Sequence, residues 1–341
     1  MASAAPSRAA SHWALAVHGG AGVIERKDLT PQQDKAYREA MAHAAKAGAE
    51  ILKRGGSSVD AVEATIRILE DDPLFNAGRG AVFTADGRNE LDSSIMDGKT
   101  LQAGAVAGIT HTRHPISLAR AVMERSPHVM LIGDPAEDFG KSMGLEQVDP
   151  SFFFTERRWR SLEKFLKEHH LPIPNRPVGA PTPPGTPHGP DAKAGLAHDE
   201  GKHGTVGVVA LDANGNVAAG TSTGGTTGKR WGRVGDSPII GAGTYASNTS
   251  CAVSATGTGE YFIRLTVARD ICALVELKQL TLQAAADEVI HRKLTAVGGD
   301  GGVIAIAPDG QIAWSFNTPG MYRARVGDNI PLRVSVYGDE L

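Results

Sequence analysis

Two periodicities alternate along this chain, and the points where one gives way to the other divide it into elements. Trp13 to Val17 (WALAV) is a short apolar run that predicts a strand. It ends in His18-Gly19-Gly20-Ala21-Gly22, a predicted loop where backbone can approach another group closely. Apolar residues then recur every three to four positions from about Pro31 to Lys53, with proline at the start and Gly55-Gly56 beyond the end, which predicts a helix. A second helix is predicted through VDAVEATIRILEDD, with Ser57-Ser58 as N-cap candidates. Each helix has one apolar face to lay on a sheet.

Asp86-Gly87 joins AVFT to NELDSSIM as a predicted hairpin, and GAVAGIT adds a strand, so this section reads as an antiparallel meander. Helices are predicted at Ile116–Glu124 and Thr155–His169. Residues 171–204 then lose all periodicity: LPIPNRPVGAPTPPGTPHGPDAKAGLAHDEGKH is rich in Pro, Gly and small polar residues and reads as a flexible linker or exposed flap. The strand pattern returns in TVGVVALD, turns at Asn214-Gly215 and continues in NVAAGTSTGG. SCAVSATG is a further strand, leading through Thr258-Gly259-Glu260 into a helix at Tyr261–Glu276. A helix at Thr281–Leu294 and a hairpin, GVIAIAPDGQIAWSF, close the predicted set. Antiparallel hairpins grouped with helices in each half predict an α+β domain with two stacked sheets covered by helices on both outer faces. Residues 1–12 read as a disordered tail and 13–341 as one domain.

Composition narrows the function. A net charge of −3, from 35 basic and 38 acidic residues without a Lys/Arg block, argues against nucleic acid and anionic membranes as partners. The start of the chain has no apolar core of a secretory signal, and no run reaches the roughly 20 apolar residues of a membrane span, so a cytoplasmic protein is expected. Cys251 and Cys272 form no CxxC and are expected as two buried free thiols in a reducing compartment.

Several motifs compete for the chemistry. Gly220-Thr221-Ser222-Thr223-Gly224 matches G-x-S-x-G, and with His18-Gly19-Gly20 it proposes a serine esterase. A nucleophile elbow needs a helix after the serine, which Gly225, Gly228, Gly232, Gly235 and Pro238 oppose; only His291 follows, on a predicted helix face. His188, His198 and His203 have no helical metal spacing, and Gly20-Ala21-Gly22 lacks the third glycine of a dinucleotide loop. Thr205 offers something else. Cut free of Gly204, it would carry an α-amine with a pKa of about 7.7–8.0, which suits a general base, beside its own hydroxyl nucleophile. The same pattern fits a threonine that merely opens a hairpin, and a catalytically silent binding scaffold would follow if the chain is never cut.

HGTVG, TSTGG, GRVGDSP and ATGTGE in that order, with VHGGAG, DPLFNAGRGAVFT, ELDSSIMDGKTLQAGAVAG, SPHVMLIG, GGDGGVIAI and FNTPGMYRA around them, resemble the plant-type L-asparaginase/isoaspartyl peptidase family of N-terminal nucleophile hydrolases. The resemblance leaves out the first dozen residues, most of 171–203 and the chain after about Arg325. It implies a four-layer αββα sandwich and a precursor that cleaves itself between Gly204 and Thr205, giving an α chain 1–204 and a β chain 205–341. It also implies a homodimer of αβ units.

Carried onto this sequence, the resemblance makes Thr205 the nucleophile and Thr223 the residue that holds and polarises its hydroxyl. Thr256 and the Gly257 amide would form the oxyanion hole. Arg233 would grip the substrate α-carboxylate, and Asp236 with the Gly259 carbonyl would take the α-ammonium. No catalytic cofactor is implied. A structural sodium ion would sit on main-chain carbonyls of Leu69, Glu70, Asp72, Phe75, Ala77 and Arg79, supporting Asn76, itself expected at the substrate.

Two departures stand out: charges at Asp72 and Arg79, and GGTTGKRWGR in place of a GG-x-TNK-type segment. The implied reaction is hydrolysis of L-asparagine and β-aspartyl dipeptides to L-aspartate through a β-aspartyl-enzyme. A glycosylasparaginase of the same fold is the nearest alternative. There the residue before the nucleophile is typically Asp, and Gly204 favours the asparaginase branch.

Overall fold

The computed structural model of the chain describes residues 12–22, 24–181 and 204–340. Residues 1–11 of the predicted tail, and 182–203 of the predicted linker with His188, His198 and His203, lie outside the described residues.

Eight strands form one sheet in the order β12 (Ile330–Tyr337), β11 (Gly320–Gly327), β1 (Ala14–Gly22), β5 (Val206–Leu211), β6 (Val217–Thr223), β2 (Leu91–Asp97), β3 (Ala103–Ile109) and β4 (Met130–Ile132). All its pairings are antiparallel except β3 with β4. A second sheet has the order β10 (Ile312–Phe316), β9 (Gly301–Ile306), β8 (Ala252–Gly257) and β7 (Thr244–Ala246).

Alternation along β1 explains why its first four residues, Ala14 to Val17, are all apolar. On β1, Leu15 and Val17 join the cluster shared with Met41, Leu52, Val62 and Ile66 of α1 (Pro31–Lys53) and α2 (Ser58–Asp71). Ala14 and Ala16 point the other way, into a cluster with Ala252, Ile304 and Ile306 of the second sheet. A stretch buried on both faces favours a continuous apolar run, and alanines on the inner face let two sheets approach. The outer face of the second sheet, with Val253, Ala255, Val303 and Ala305, packs on α6 (Gly259–Leu265), α7 (Val267–Lys278) and α8 (Leu282–Asp287).

Helix α1 starts where expected: Thr30 and Gln33 form a capping box ahead of Pro31, and Ser57 caps α2 by accepting from Asp60 N. The helices at 116–124 and 155–169 form as α3 (Pro115–Arg125) and α5 (Glu156–Glu168).

Other elements differ from the sequence reading. HGGAG is the second half of β1, not a loop, with a register break between His18 and Ala21. The Asp86-Gly87 turn forms, with Thr84 N donating to Arg88 O, but AVFT and NELDSSIM do not go on to pair as strands, because the Asn89 side-chain amide donates to the Ala81 and Val82 carbonyls. The helix expected at 261–276 is two, broken at Thr266 with φ +47°, and α8 runs on as a π-helical turn, Glu288–Leu294. Strands β4, β7, β11 and β12 and helix α4 (Gly133–Ser142) were not anticipated.

The cysteines depart furthest from expectation. Cys251 and Cys272 form a disulfide that joins the residue before β8 to α7. Residues far apart in sequence were read as unrelated apolar positions, but α7 packs directly on β8 and brings their Cα atoms to 5.4 Å. The inference from free thiols to a reducing compartment therefore lapses.

Candidate active site

Thr205 precedes β5, whose Val206 pairs with Ser222 of β6, so Thr205 stands beside Thr223 at the next step of the register. Their hydroxyl oxygens are 2.9 Å apart. The Gly225 amide donates to Thr223 Oγ1 at 3.0 Å, which fixes that hydroxyl oxygen in place and leaves its proton and its second lone pair to face Thr205. Both side chains point into the space between the sheets.

From the opposite sheet, β8 alternates Val253 and Ala255 outward with Ser254 and Thr256 inward. Thr256 Oγ1 is 3.4 Å from the Ala21 amide of β1. Gly257 pairs with Gly301 at the strand end. The threonines singled out from sequence thus lie on two facing sheets, Thr205 and Thr223 on one and Thr256 on the other.

The Gly204 carbonyl accepts from the backbone N–H of Asn76 at 2.9 Å. Gly20, at φ +108°, lies against Gly204 so closely that a Cβ there would come within 2.7 Å of its Cα, so a left-handed, side-chain-free residue is required. Asn76 is buried and held on all sides: its Oδ1 accepts from Val82 N, its Nδ2 donates to Gly225 O, and its carbonyl accepts from Gly224 N.

Around Arg233 the charges are paired unevenly. Arg233 Nε and Nη2 each donate to Glu260 at 3.0 Å. Asp236 is buried, its Oδ2 has no hydrogen-bond partner among the described residues, and desolvation raises its pKa to about 7, against downward pulls from a backbone hydrogen bond and from Arg233. Gly259, at the start of α6, packs on Asp236: a Cβ there would lie 2.9 Å from Asp236 Oδ1. A buried carboxylate with an unspent oxygen beside a guanidinium suits a zwitterionic α-amino acid.

The segment GGTTGKRWGR bends at Gly228, φ +71°, where any side chain would strike the Phe165 ring. Phe165 of α5 occupies the space an asparagine would need there. Trp231, φ +58° and 91% exposed, tops the turn that closes on Arg233.

At the loop after α2, Pro73 has no N–H for the Leu69 carbonyl, and Leu74 N donates to Asp72 Oδ1, away from Glu70 O. Among the described residues, the two carbonyls at this helix C-terminus are thus not taken up by the usual helical donors. Others expected as ligands are engaged: Asp72 O accepts from Phe75 N and Ala77 O from Gly80 N. The Arg79 guanidinium lies 5.8 Å from the Phe152 ring centroid, turned to an aromatic face.

Ser222 points away from this cleft. Alternation on β6 turns it toward α2, where it is fully buried and donates to Glu70 Oε1 at 2.7 Å. Glu70, its pKa raised by burial, also accepts from Ile116 N and faces His114 at 3.4 Å. The serine-esterase reading fails on this geometry, and His291, half-exposed near Asp287, offers no base.

Sequence reasoning missed a chain of buried hydroxyls that crosses the sheet interface. His18 Nε2 is 3.0 Å from Ser254 Oγ, which is 2.7 Å from Thr221 Oγ1; Thr221 is 2.6 Å from Thr244 Oγ1, to which Ser94 donates at 2.8 Å. Burial pushes the His18 imidazole down to about 3, against a weaker upward pull from the Thr205 backbone, so it is neutral at physiological pH. The signal was present as polar residues at inward positions of β2, β6 and β8, each unremarkable alone.

A pair of hydroxyls at a peptide bond whose carbonyl is held by a backbone N–H is an arrangement suited to amide hydrolysis. The chain belongs to the asparaginase family, whose sequence profile matches residues 11–332. It is 49% identical over 310 residues to an isoaspartyl peptidase of Escherichia coli, covering 91% of each chain. It is also 41% identical over 313 residues to a plant-type L-asparaginase of Pyrococcus furiosus, covering 90% of this chain and 94% of the other. An isoaspartyl peptidase/L-asparaginase of Xenopus laevis is 39% identical over 327 residues, 96% of both.

Proposed function

We propose that the chain is an isoaspartyl peptidase/L-asparaginase of αββα N-terminal nucleophile architecture, made as a precursor and activated by its own cleavage at Gly204–Thr205. The observation that carries this is the Thr205–Thr223 hydroxyl pair next to a Gly204 carbonyl held by the backbone N–H of Asn76. In maturation the Thr205 oxygen attacks the Gly204 carbonyl carbon, with the Asn76 N–H stabilising the negative oxygen. The C–N bond breaks, nitrogen takes up a proton as the new α-amine, and water hydrolyses the resulting ester to free the Gly204 carboxylate.

The mature amine then acts as base for its own hydroxyl. Thr205 attacks the side-chain carbonyl of L-asparagine or the isopeptide carbonyl of a β-aspartyl dipeptide. Thr256 and the Gly257 amide serve the oxyanion, ammonia or an amino acid leaves with a proton, and water releases L-aspartate. Arg233 takes the α-carboxylate, and Asp236 with the Gly259 carbonyl the α-ammonium; the unspent Asp236 oxygen supports this. The Leu69 and Glu70 carbonyls suit a structural sodium ion, which would supply rigidity beneath Asn76 and no chemistry. Two such αβ units are proposed to form the working dimer.

N-terminal sequencing of the purified protein tests the reading: a fragment of 137 residues starting at Thr205 is expected, with aspartate released from a β-aspartyl dipeptide. Thr205→Ala should stay intact and inactive. An intact chain with full turnover, or an active Thr205→Ala, overturns it.

A further inference from the structure

A guanidinium has two edges able to take a carboxylate bidentately: the side edge, Nε with one terminal nitrogen, and the end edge, both terminal nitrogens. Glu260 occupies the side edge of Arg233, with Nε to Oε1 and Nη2 to Oε2 both at 3.0 Å. The remaining nitrogen, Nη1, faces the cleft: a Cβ on Gly225 would lie 3.3 Å from it, and one on Gly235 2.9 Å. Gly225 is the residue whose amide donates to Thr223, so the free edge of Arg233 opens toward the catalytic hydroxyls.

From this we propose that Glu260 is a positioning residue for substrate recognition, which grips one edge of Arg233 so that its end edge is presented to the substrate α-carboxylate. The assignment rests on the reading of Arg233 as carboxylate anchor. Glu260 is well placed for the task. It directly follows Gly259, which packs on Asp236, so one short stretch of α6 fixes both charged groups that meet the amino-acid end of the substrate. Its side chain is 57% exposed while that of Arg233 is 19% exposed. The pair therefore costs little desolvation on the Glu260 side, and the arginine loses rotamer freedom before substrate arrives. Its carboxyl is held below the usual range by the bond to Arg233, so it is ionised at neutral pH.

The alternative geometry, in which Glu260 blocks Arg233 and must be displaced, predicts the opposite sign. The test uses the matured protein and four forms: wild type, Glu260→Ala, Glu260→Gln and Arg233→Ala. L-aspartate binding is measured by calorimetry and L-asparagine hydrolysis by steady-state kinetics. Glu260→Ala should weaken L-aspartate binding and raise KM by about tenfold, with kcat changed by no more than about threefold, as expected for an orienting charge-assisted pair. Glu260→Gln, which keeps one acceptor, should recover part of the loss.

Equal or tighter aspartate binding in Glu260→Ala overturns the proposal in favour of displacement. A fall in kcat at unchanged KM, or no recovery in Glu260→Gln, overturns it as well. Unchanged binding in Arg233→Ala removes the anchor itself, a failure of the carboxylate reading that the other variants identify separately.

Discussion

The hydroxyls of Thr205 and Thr223 lie 2.9 Å apart because β5 and β6 pair with Val206 opposite Ser222, which sets the two threonines side by side at the mouth of the sheet interface. The Gly225 amide anchors the Thr223 hydroxyl by donating to its oxygen. A Thr223→Val substitution keeps the shape and removes the donor. We expect it to slow both appearance of the Thr205 fragment and kcat by on the order of 10²-fold, the cost of one positioned donor at a developing charge. Gel densitometry over time and single-turnover assays would read both; unchanged rates would remove Thr223 from the mechanism.

Asp236 supplies the pH dependence. With its pKa raised to about 7 by burial, it is half protonated near neutrality in the free protein. An α-ammonium needs the carboxylate, so kcat/KM should rise with pH through about 7 along a one-proton limb. Asp236→Asn should lose that limb together with most of the activity. The sign for stability is opposite: the folded state holds this proton more tightly than the unfolded chain, so the contribution is fully present below the ordinary carboxyl pKa and is lost as pH rises toward 7. The ionised group then costs on the order of 4 kcal/mol. Asp236→Asn should therefore stabilise the unliganded protein, more at pH 8 than at pH 5, in urea titrations.

How far the sequence carried depended on whether a signal was local. The start of α1 at Pro31, the Asn214-Gly215 turn and the strand opening at Thr205 could be read because each is written in a few neighbouring residues. The pairing of β1 with β11 could not, because 320–327 carries no turn or period that names its partner. The Cys251–Cys272 bond was likewise hidden, depending on how α7 lies on β8. Strand parity was available but unused: on β6, an odd-even count separates Thr221 and Thr223 from Ser222 once one of them is known to face the cleft.

That parity gives a prediction which separates the two nucleophile candidates. Ser222 is buried against Glu70 and donates to it at 2.7 Å. Ser222→Ala removes one of the bonds offsetting a buried carboxylate, which should cost ~1–3 kcal/mol. It leaves the Thr205 side of the strand untouched, so maturation and kcat at 25 °C should remain within about twofold of wild type. Loss of activity in a folded Ser222→Ala protein would restore the serine.

The disulfide closes a loop with a sequence separation of 21 and ties the end of β8 that does not bear Thr256 to the helix behind it. Constraining the unfolded chain over such a loop stabilises by ~3 kcal/mol. Replacing both cysteines by alanine should lower unfolding free energy by about 2–4 kcal/mol in denaturant titrations. Because both cysteines follow Thr205, the bond lies wholly within the 205–341 fragment and does not tether the two cleavage products. Reducing and non-reducing gels should thus show the same two fragments, while thiol titration of the denatured, unreduced protein should find none. Two titratable thiols there would mean that the sulfurs are neighbours in α7 and β8 without being joined, and the stability difference should then shrink to that of two buried thiols.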